Sequence, residues 1–126
     1  FTYPAASEYH HSLTMACLVD SPNILDTWAA QNRGLESSGA GHTATQDIFW
    51  NVRGSATGTV RSFQYGWGYV IGTRSVIVDT DPFGAGAVGT QPQDFVELED
   101  QAEKLDPPSL YEDQLRRRLG RSERLW

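Results

Sequence analysis

Residues 31–54 read QNRGLESSGAGHTATQDIFWNVRG. Three glycines and two serines between Gly34 and Gly41 are too loose a composition for a helix or a strand, and the apolar run Ile48-Phe49-Trp50 follows. Glycine permits the positive φ angles of corners where a chain leaves one sheet for another. A short strand, a polar glycine-rich bend and a second short strand are typical of one coil of a β-solenoid. The bend is either a solvated loop that closes the coil or a functional cluster made of Asn32, Arg33, Ser37, Ser38 and His42.

The same pattern recurs along the chain. Short apolar segments around residues 13–20, 24–32, 47–53, 59–64, 69–71 and 76–78 are separated by Gly, Ser, Thr or Asn. Three of these segments end in a serine, namely Ser21, Ser55 and Ser75, which are 34 and 20 residues apart. We therefore predict stacked coils, because such repeats bury a core only against their neighbours. An antiparallel sandwich is the alternative, although the Asn-Gly and Asp-Gly pairs of tight hairpins are absent.

Length and charge limit the possible functions. At 126 residues the chain is one domain or less, and its formal net charge of -6 argues against a nucleic-acid partner. Cys17 is the only cysteine, so it cannot form an internal disulfide. No run approaches the ~18 apolar residues that a membrane span requires.

The second part of the chain changes in composition. We predict β coils over residues 1–80, an extended acidic segment rich in Pro and Gly over 81–108, and a helix over 109–120. Ser109 and Glu112 form a capping box at the start of this helix. Leu115 and Leu119 share one face, with which the helix is expected to cap the last coil.

Two groups of side chains could contact a substrate. His10 and His11 could ligate a metal with His42 and Asp20, but the spacings typical of zinc sites are missing, so we predict substrate contact and no metal. If residues 10 and 11 lie in a strand, only one of the two imidazoles can face a shared site. Further along, alternation places four aromatic side chains on one face, either as a core stack or as a platform for sugar rings. They are Phe63, Tyr65, Trp67 and Tyr69, of which Tyr65 and Trp67 suit the surface and Tyr69 the core.

Several motifs together resemble a known family. They are YHHSL at 9–13, QNRG at 31–34, SGAGH at 38–42, FWN at 49–51 and GWGYVIG at 66–72. In this pattern the chain resembles the C-terminal coils of right-handed parallel β-helix proteins of the pectate-lyase-like superfamily. The resemblance implies an all-β fold, the last coils of a right-handed parallel β-helix with a C-terminal capping α-helix.

The resemblance also implies a setting and a partner. Members are mostly secreted polysaccharide lyases, with glycoside hydrolases and non-catalytic relatives among them, so we expect a secreted or periplasmic protein with a polysaccharide substrate. A bound Ca²⁺ is possible by resemblance, although no ligand set is identified and no other cofactor is expected. Such β-helices are longer than this chain. The remainder of the same β-helix is therefore expected as a covalent or associated N-terminal partner, and these residues expressed alone are expected to fold poorly.

The main functional hypothesis is a lyase that cleaves a uronate-containing polysaccharide by β-elimination. This reaction needs neutralisation of the carboxylate, a base for the adjacent proton and an acid for the leaving oxygen. We assign Arg33 to the carboxylate, His42 to acid or base chemistry and His11 to a supporting role, and we expect substrate contacts from Asn32, Tyr65, Trp67 and His10.

Two alternatives stay open. A glycoside hydrolase would need two carboxylates across a groove, and Asp20, Asp26, Glu36 and Asp47 are available. A non-catalytic solenoid would bind glycans or a partner through Tyr65 and Trp67.

Overall fold

The computed structural model describes residues 6–11, 14–35, 41, 43–82 and 94–120. It contains nine short strands, a 3₁₀ turn at Ala102–Lys104 and a helix, α1, at Leu110–Leu119. The strands are β1 Ser7–Glu8, β2 Leu18–Asp20, β3 Asn23–Ile24, β4 Thr27–Gln31, β5 Ile48–Gly54, β6 Thr59–Phe63, β7 Tyr69–Arg74, β8 Ile77–Asp79 and β9 Phe95–Glu97. In this part of the chain no helix is long and apolar enough to cross a membrane.

The strands form two sheets. The first sheet has the order β1-β4-β6-β8, and the second sheet has the order β2-β5-β7-β9, with β3 also pairing with β5. Every pair of named strands is parallel. From β4 to β9, successive strands alternate between the two sheets. The antiparallel sandwich is therefore excluded for these strands.

The predicted fold class, an all-β right-handed parallel β-helix, is wrong. The parallel sheets are combined with α1 and the 3₁₀ turn, so that 14% of the described residues are helical and 42% are in strands, a mixed α/β type of structure that is not solenoid-like. The segment that joins the 3₁₀ turn to α1 packs against the second sheet. Leu105 of this segment contacts Gly72, and the Trp50 indole N–H donates to the Pro107 carbonyl oxygen at 3.0 Å. Short strands and glycine-rich turns occur in many parallel β architectures, and this is why the local pattern could not distinguish between them.

The core lies between the two sheets and is built from rows of side chains in register. The second sheet contributes Val19, Phe49, Val70 and Val96, and the first sheet contributes Trp28, Val60 and Val78. Because side chains alternate along a strand, the residues on either side of each row face away from this core.

A bend with a left-handed backbone recurs at equivalent positions of the second sheet. Ser21 follows β2, Leu98 follows β9, and Asn51 and Gly72 lie within β5 and β7, all four with φ between 52° and 72°. Gly72 is also restricted by packing, because a Cβ atom there would lie 2.7 Å from Leu105 Cδ2. Each bend directly follows three residues that pair within the second sheet, which we call an arm, and the four bends occupy equivalent positions of the sheet register.

Helix α1 is attached to the second sheet by hydrogen bonds at its N-terminus. Ser109 is the N-cap and accepts from the Glu112 amide, as a capping box does. The Asp20 carboxylate accepts from Ser109 Oγ at 2.8 Å and from the Tyr111 amide at 2.7 Å. No residue of the helix is buried and Leu119 is exposed, so the expected covering of a coil by Leu115 and Leu119 is not what holds the helix.

The segment predicted to be extended and acidic contains unexpected structure in its described part. Residues 95–97 form β9 and pair with β7, and the 3₁₀ turn follows. Residues 83–93 of this segment lie outside the described residues.

Candidate functional site

An aromatic surface is formed by Tyr69 and Phe95 on the second sheet and by Trp67, which lies in the turn before β7. Tyr69 and Phe95 are register partners on β7 and β9, and their rings stack at 5.5 Å with an interplanar angle of 11°. The Trp67 ring meets Phe95 edge to face at 6.2 Å. Tyr65 and Trp67 are each 42% exposed and Phe95 is 44% exposed. Large aromatic area is thus accessible to solvent on a regular sheet.

The turn that carries Trp67 is held by the partly buried carboxylate of Asp94. Asp94 accepts from the Gly68 amide at 3.1 Å, from the Gln64 amide at 3.2 Å and from Ser62 Oγ at 2.6 Å. Gly68 has no room for a side chain, because a Cβ atom would lie 1.9 Å from Gln64 Nε2. The backbone around Trp67 is therefore fixed by hydrogen bonds and by close packing.

A polar network beneath this turn links the two sheets. Gln64, at the end of β6, accepts from the Asp47 amide at 2.8 Å and donates from Nε2 to the Asp47 carbonyl at 3.1 Å and to Ser62 Oγ at 3.0 Å. Asp47 Oδ1 accepts from the Cys17 amide at 2.8 Å. Asp47 Oδ2 is buried and has no hydrogen-bond partner among the described residues.

Burial changes the acidity of the groups in this network. It raises the pKa of the Asp47 carboxyl, against the opposing effect of the Cys17 amide. It also raises the pKa of the Asp94 carboxyl, which the hydrogen bonds from Ser62, Gln64 and Gly68 lower. The pKa values of the Tyr9 hydroxyl and the Cys17 thiol are likewise raised, chiefly by burial. A raised thiol pKa leaves Cys17 less nucleophilic than an ordinary cysteine.

A second cluster of polar side chains lies beside the first sheet. Glu8 Oε2 accepts from Arg33 Nη1 at 2.7 Å, and Glu8 Oε1 lies 2.8 Å from His10 Nδ1. Arg33 Nη1 is also 3.1 Å from His10 Nδ1. Because the carboxylate only accepts, the 2.8 Å contact with Glu8 requires that His10 Nδ1 carries the proton and donates it. Arg33 Nη1 and His10 Nδ1 are then both donors, so their 3.1 Å contact is not a hydrogen bond, and both groups donate to Glu8. His10 Nε2 is then the imidazole nitrogen available for other chemistry.

The charges in this cluster compensate one another. The His10 hydrogen bond, followed by the charge of Arg33, lowers the pKa of the Glu8 carboxyl despite some burial. The Arg33 side chain is only 12% exposed. Its guanidinium is therefore already matched with a carboxylate of this chain.

The structure brings together three of the predicted site residues, His10, His11 and Arg33. His10 and His11 do not lie in a strand, so the expectation that only one imidazole can face a shared site does not apply to them. Both follow the end of β1, and their rings meet edge to face at 4.9 Å. Asn32 is 1% exposed, and its side-chain oxygen accepts from the Gly34 amide at 3.3 Å. His42, Ser37 and Ser38 lie outside the described residues.

Three residues of these clusters were not predicted from the sequence, namely Glu8, Phe95 and Asp94. Glu8 is two residues before His10, and this spacing places side chains on the same side of an extended segment. Phe95 begins the short apolar pair Phe95-Val96, whose residue types are typical of strands, inside an otherwise acidic stretch. Asp94 gave no local signal, because its partners Ser62 and Gln64 are about 30 residues earlier in the chain.

The described residues contain no group of three or more His, Cys, Asp or Glu side chains that could hold a metal ion. No family model matches the chain, and no similar curated protein or solved structure is found.

Proposed function

We propose that the protein binds a polysaccharide through the aromatic surface. The observation that carries the proposal is the stacking of Tyr69 and Phe95 on a regular parallel sheet and the contact of Phe95 with Trp67 of the preceding turn, with Trp67 and Phe95 more than 40% exposed. Binding sites are typically lined by aromatic side chains with a few polar groups that fix orientation. Sugar rings present apolar C–H faces that suit aromatic surfaces, while their hydroxyls remain in water.

The geometry of the sheet suits an extended ligand. In register with Tyr69 and Phe95, the same outward row continues through Ile48 and Leu18. Neighbouring strands are about 4.8 Å apart, so the row extends over roughly 14 Å. Because Asp94 and Gly68 fix the Trp67 turn, binding requires little ordering of the backbone.

The Glu8–His10–Arg33 cluster favours a second candidate function, β-elimination on a uronate. His10 Nε2 would accept the proton from the carbon next to the uronate carboxylate. The C–H electron pair would form the double bond as the glycosidic oxygen leaves with its bonding pair and takes a proton from water. Glu8 orients His10 and is itself paired with Arg33, so the hypothesis that Arg33 neutralises the substrate carboxylate requires Arg33 to exchange Glu8 for the substrate. This requirement makes glycan binding the better-supported proposal.

The hydrolase alternative has less support. Both carboxylate oxygens of Asp20 accept hydrogen bonds that hold Ser21 and the start of α1, and Asp47 is fully buried. Glu36 lies outside the described residues.

Glycan binding is tested with Trp67→Ala and Phe95→Ala in isothermal titration calorimetry against soluble xylan and polygalacturonate. Each substitution removes an exposed ring, and we expect about a tenfold loss of affinity, since an aromatic contact contributes about 1–1.5 kcal/mol. Tyr111→Ala is the matched control, because Tyr111 is 51% exposed but lies on α1. Equal affinity of all three variants and the unmodified protein, or no binding of either glycan, would contradict the proposal.

The same mixtures separate binding from cleavage. A lyase leaves unsaturated sugar ends that absorb in the ultraviolet, whereas a hydrolase forms reducing ends without this absorbance. Absorbance that rises with polygalacturonate and disappears in His10→Gln would establish the second candidate function.

A further inference from the structure

Three polar side chains form a row at the far end of the second sheet. Asn23 on β3 is the register partner of Arg53 on β5, which is the register partner of Arg74 on β7. All three residues are exposed. The row therefore carries one amide and two guanidinium side chains on neighbouring strands, whose backbones are about 4.8 Å apart.

Within the described part of the chain, the two arginines of this row form no ion pair. Arg33, Arg61 and Arg117 each form an ion pair with a carboxylate. Over the described ranges, neither Arg53 nor Arg74 forms an ion pair, and the side chain of Arg53 contacts Asn51 Oδ1 at 3.3 Å.

Placing two like charges opposite each other on neighbouring strands is unfavourable. The chain has 16 Asp and Glu residues against 10 Lys and Arg, so carboxylates are abundant elsewhere. An anion from outside the chain would relieve the repulsion between the two guanidinium groups.

The surroundings of the row provide space next to Arg53. A cleft of about 290 Å³ is lined by Ser21, Asn51, Arg53, Pro108, Ser109 and Glu112. Two acids lie near the row. Glu112 lines the cleft, and Asp100 accepts from the Ser75 amide next to Arg74 at 3.0 Å.

We propose that Arg53 and Arg74 together bind one oxyanion group of a ligand, a carboxylate, sulfate or phosphate. Guanidinium groups donate two parallel hydrogen bonds to such groups, and two adjacent guanidiniums can hold three or four oxygen contacts. This site is separate from the aromatic surface, since Tyr69 begins β7 and Arg74 ends it, about 16 Å along the strand. It therefore stands or falls independently of glycan binding.

The experiment measures binding of sodium sulfate, inorganic phosphate and sodium galacturonate to the full chain, by chemical shift changes in NMR at an ionic strength held constant with chloride. We expect saturable binding of at least one anion, and at least a tenfold loss of affinity in both Arg53→Gln and Arg74→Gln. Glu112→Gln should bind two- to fivefold more tightly, because it removes a negative charge from the cleft. Tighter binding of galacturonate assigns the site to carboxylates, and tighter binding of sulfate or phosphate assigns it to tetrahedral anions.

The matched control is Arg118→Gln, which removes the same charge from an exposed arginine of α1 that has no ion pair within the described residues. Its affinity should change less than twofold. An equal loss in Arg118→Gln would reduce the effect to net charge and overturn the proposal. So would the absence of saturation with all three anions, provided that circular dichroism shows the variants to be folded.

Discussion

At the scale of single residues, the buried carboxylate of Asp47 and the partly buried carboxylate of Asp94 differ in how their oxygens are used. Asp94 accepts three hydrogen bonds, whereas Asp47 accepts one from Cys17 and has a buried oxygen without a partner among the described residues. Burial raises the pKa of both carboxyls. A carboxyl with a raised pKa in the folded state contributes stability that is fully present below its unfolded pKa of about 3.9 and is lost as the pH rises through the folded value.

Asp47→Asn and Asp94→Asn should therefore have opposite effects. Asparagine keeps the Oδ1 acceptor of residue 47 and removes a buried charge, so Asp47→Asn should be at least as stable as the unmodified protein at pH 7, with the difference vanishing below about pH 4. Asp94→Asn turns an amide N–H toward donors and should cost about 1–3 kcal/mol. Urea unfolding between pH 3.5 and 7.5 measures both effects. Destabilisation of the same size in both variants at pH 7 would show that the hydrogen-bond counts do not control stability here.

At the scale of elements, Gly72 and Gly120 both have positive φ but different surroundings. Gly72 lies in the bend of β7 with Leu105 against it, whereas Gly120 is the C-cap of α1, where a Cβ atom would meet nothing within 4 Å.

Gly120→Ala should cost about 1–2 kcal/mol from backbone strain alone. Gly72→Ala should cost about 2–4 kcal/mol, because displacement of Leu105 is added to the same strain. The midpoints of urea unfolding of the two variants provide the comparison. An equal cost in both would mean that Leu105 moves freely and does not fix the segment after β9.

The sequence predicted individual strands and the helix better than it predicted which residues of different strands occupy equivalent positions. The capping box at Ser109 and the apolar runs of β5, β6 and β7 were visible because they depend on neighbours within a few residues. The repeat of Ser21, Ser55 and Ser75 did not mark equivalent positions. The register of the second sheet aligns Ser21 with Asn51 and Gly72, whereas Ser55 follows Asn51 by four residues. What the equivalent positions share is a left-handed backbone, which Ser, Asn, Gly and Leu adopt here without a common residue type.

At the scale of the whole molecule, Gln64 connects the two sheets. It is 1% exposed, directly follows β6 of the first sheet, and exchanges two hydrogen bonds with Asp47, which directly precedes β5 of the second sheet. Loss of this side chain leaves the Asp47 amide without its acceptor and opens a cavity.

Gln64→Ala should therefore cost about 2–4 kcal/mol while unfolding remains a single transition. Amide hydrogen exchange should show protection falling by similar factors in β5 and β6. Gln114→Ala, at an exposed position of α1, should leave stability within about 0.5 kcal/mol. A loss of protection confined to one sheet would contradict the connecting role of Gln64.

The fold class and much of the candidate site depended on contacts that are distant in sequence. Each strand from β4 to β7 pairs with the strand two further along the chain, and no local period encodes that partner. The polar cluster was predicted in part, since His10, His11 and Arg33 were chosen, but its carboxylate Glu8 is 25 residues from Arg33. The roles of Arg53 and Arg74 could not be read locally either, because it is the register of β5 and β7 that makes them neighbours.

The row of bends also determines which positions of the chain can tolerate insertions and deletions. Each arm before a bend has three residues, at 18–20, 48–50, 69–71 and 95–97, so one inserted codon within an arm would exchange its core and surface faces. The Gly41 amide, by contrast, donates to the Gly34 carbonyl at 2.9 Å, and this bridge keeps the ends of residues 34–41 together whatever the number of residues between them. Among related sequences, insertions and deletions should therefore be common between positions 34 and 41 and rare in the arms.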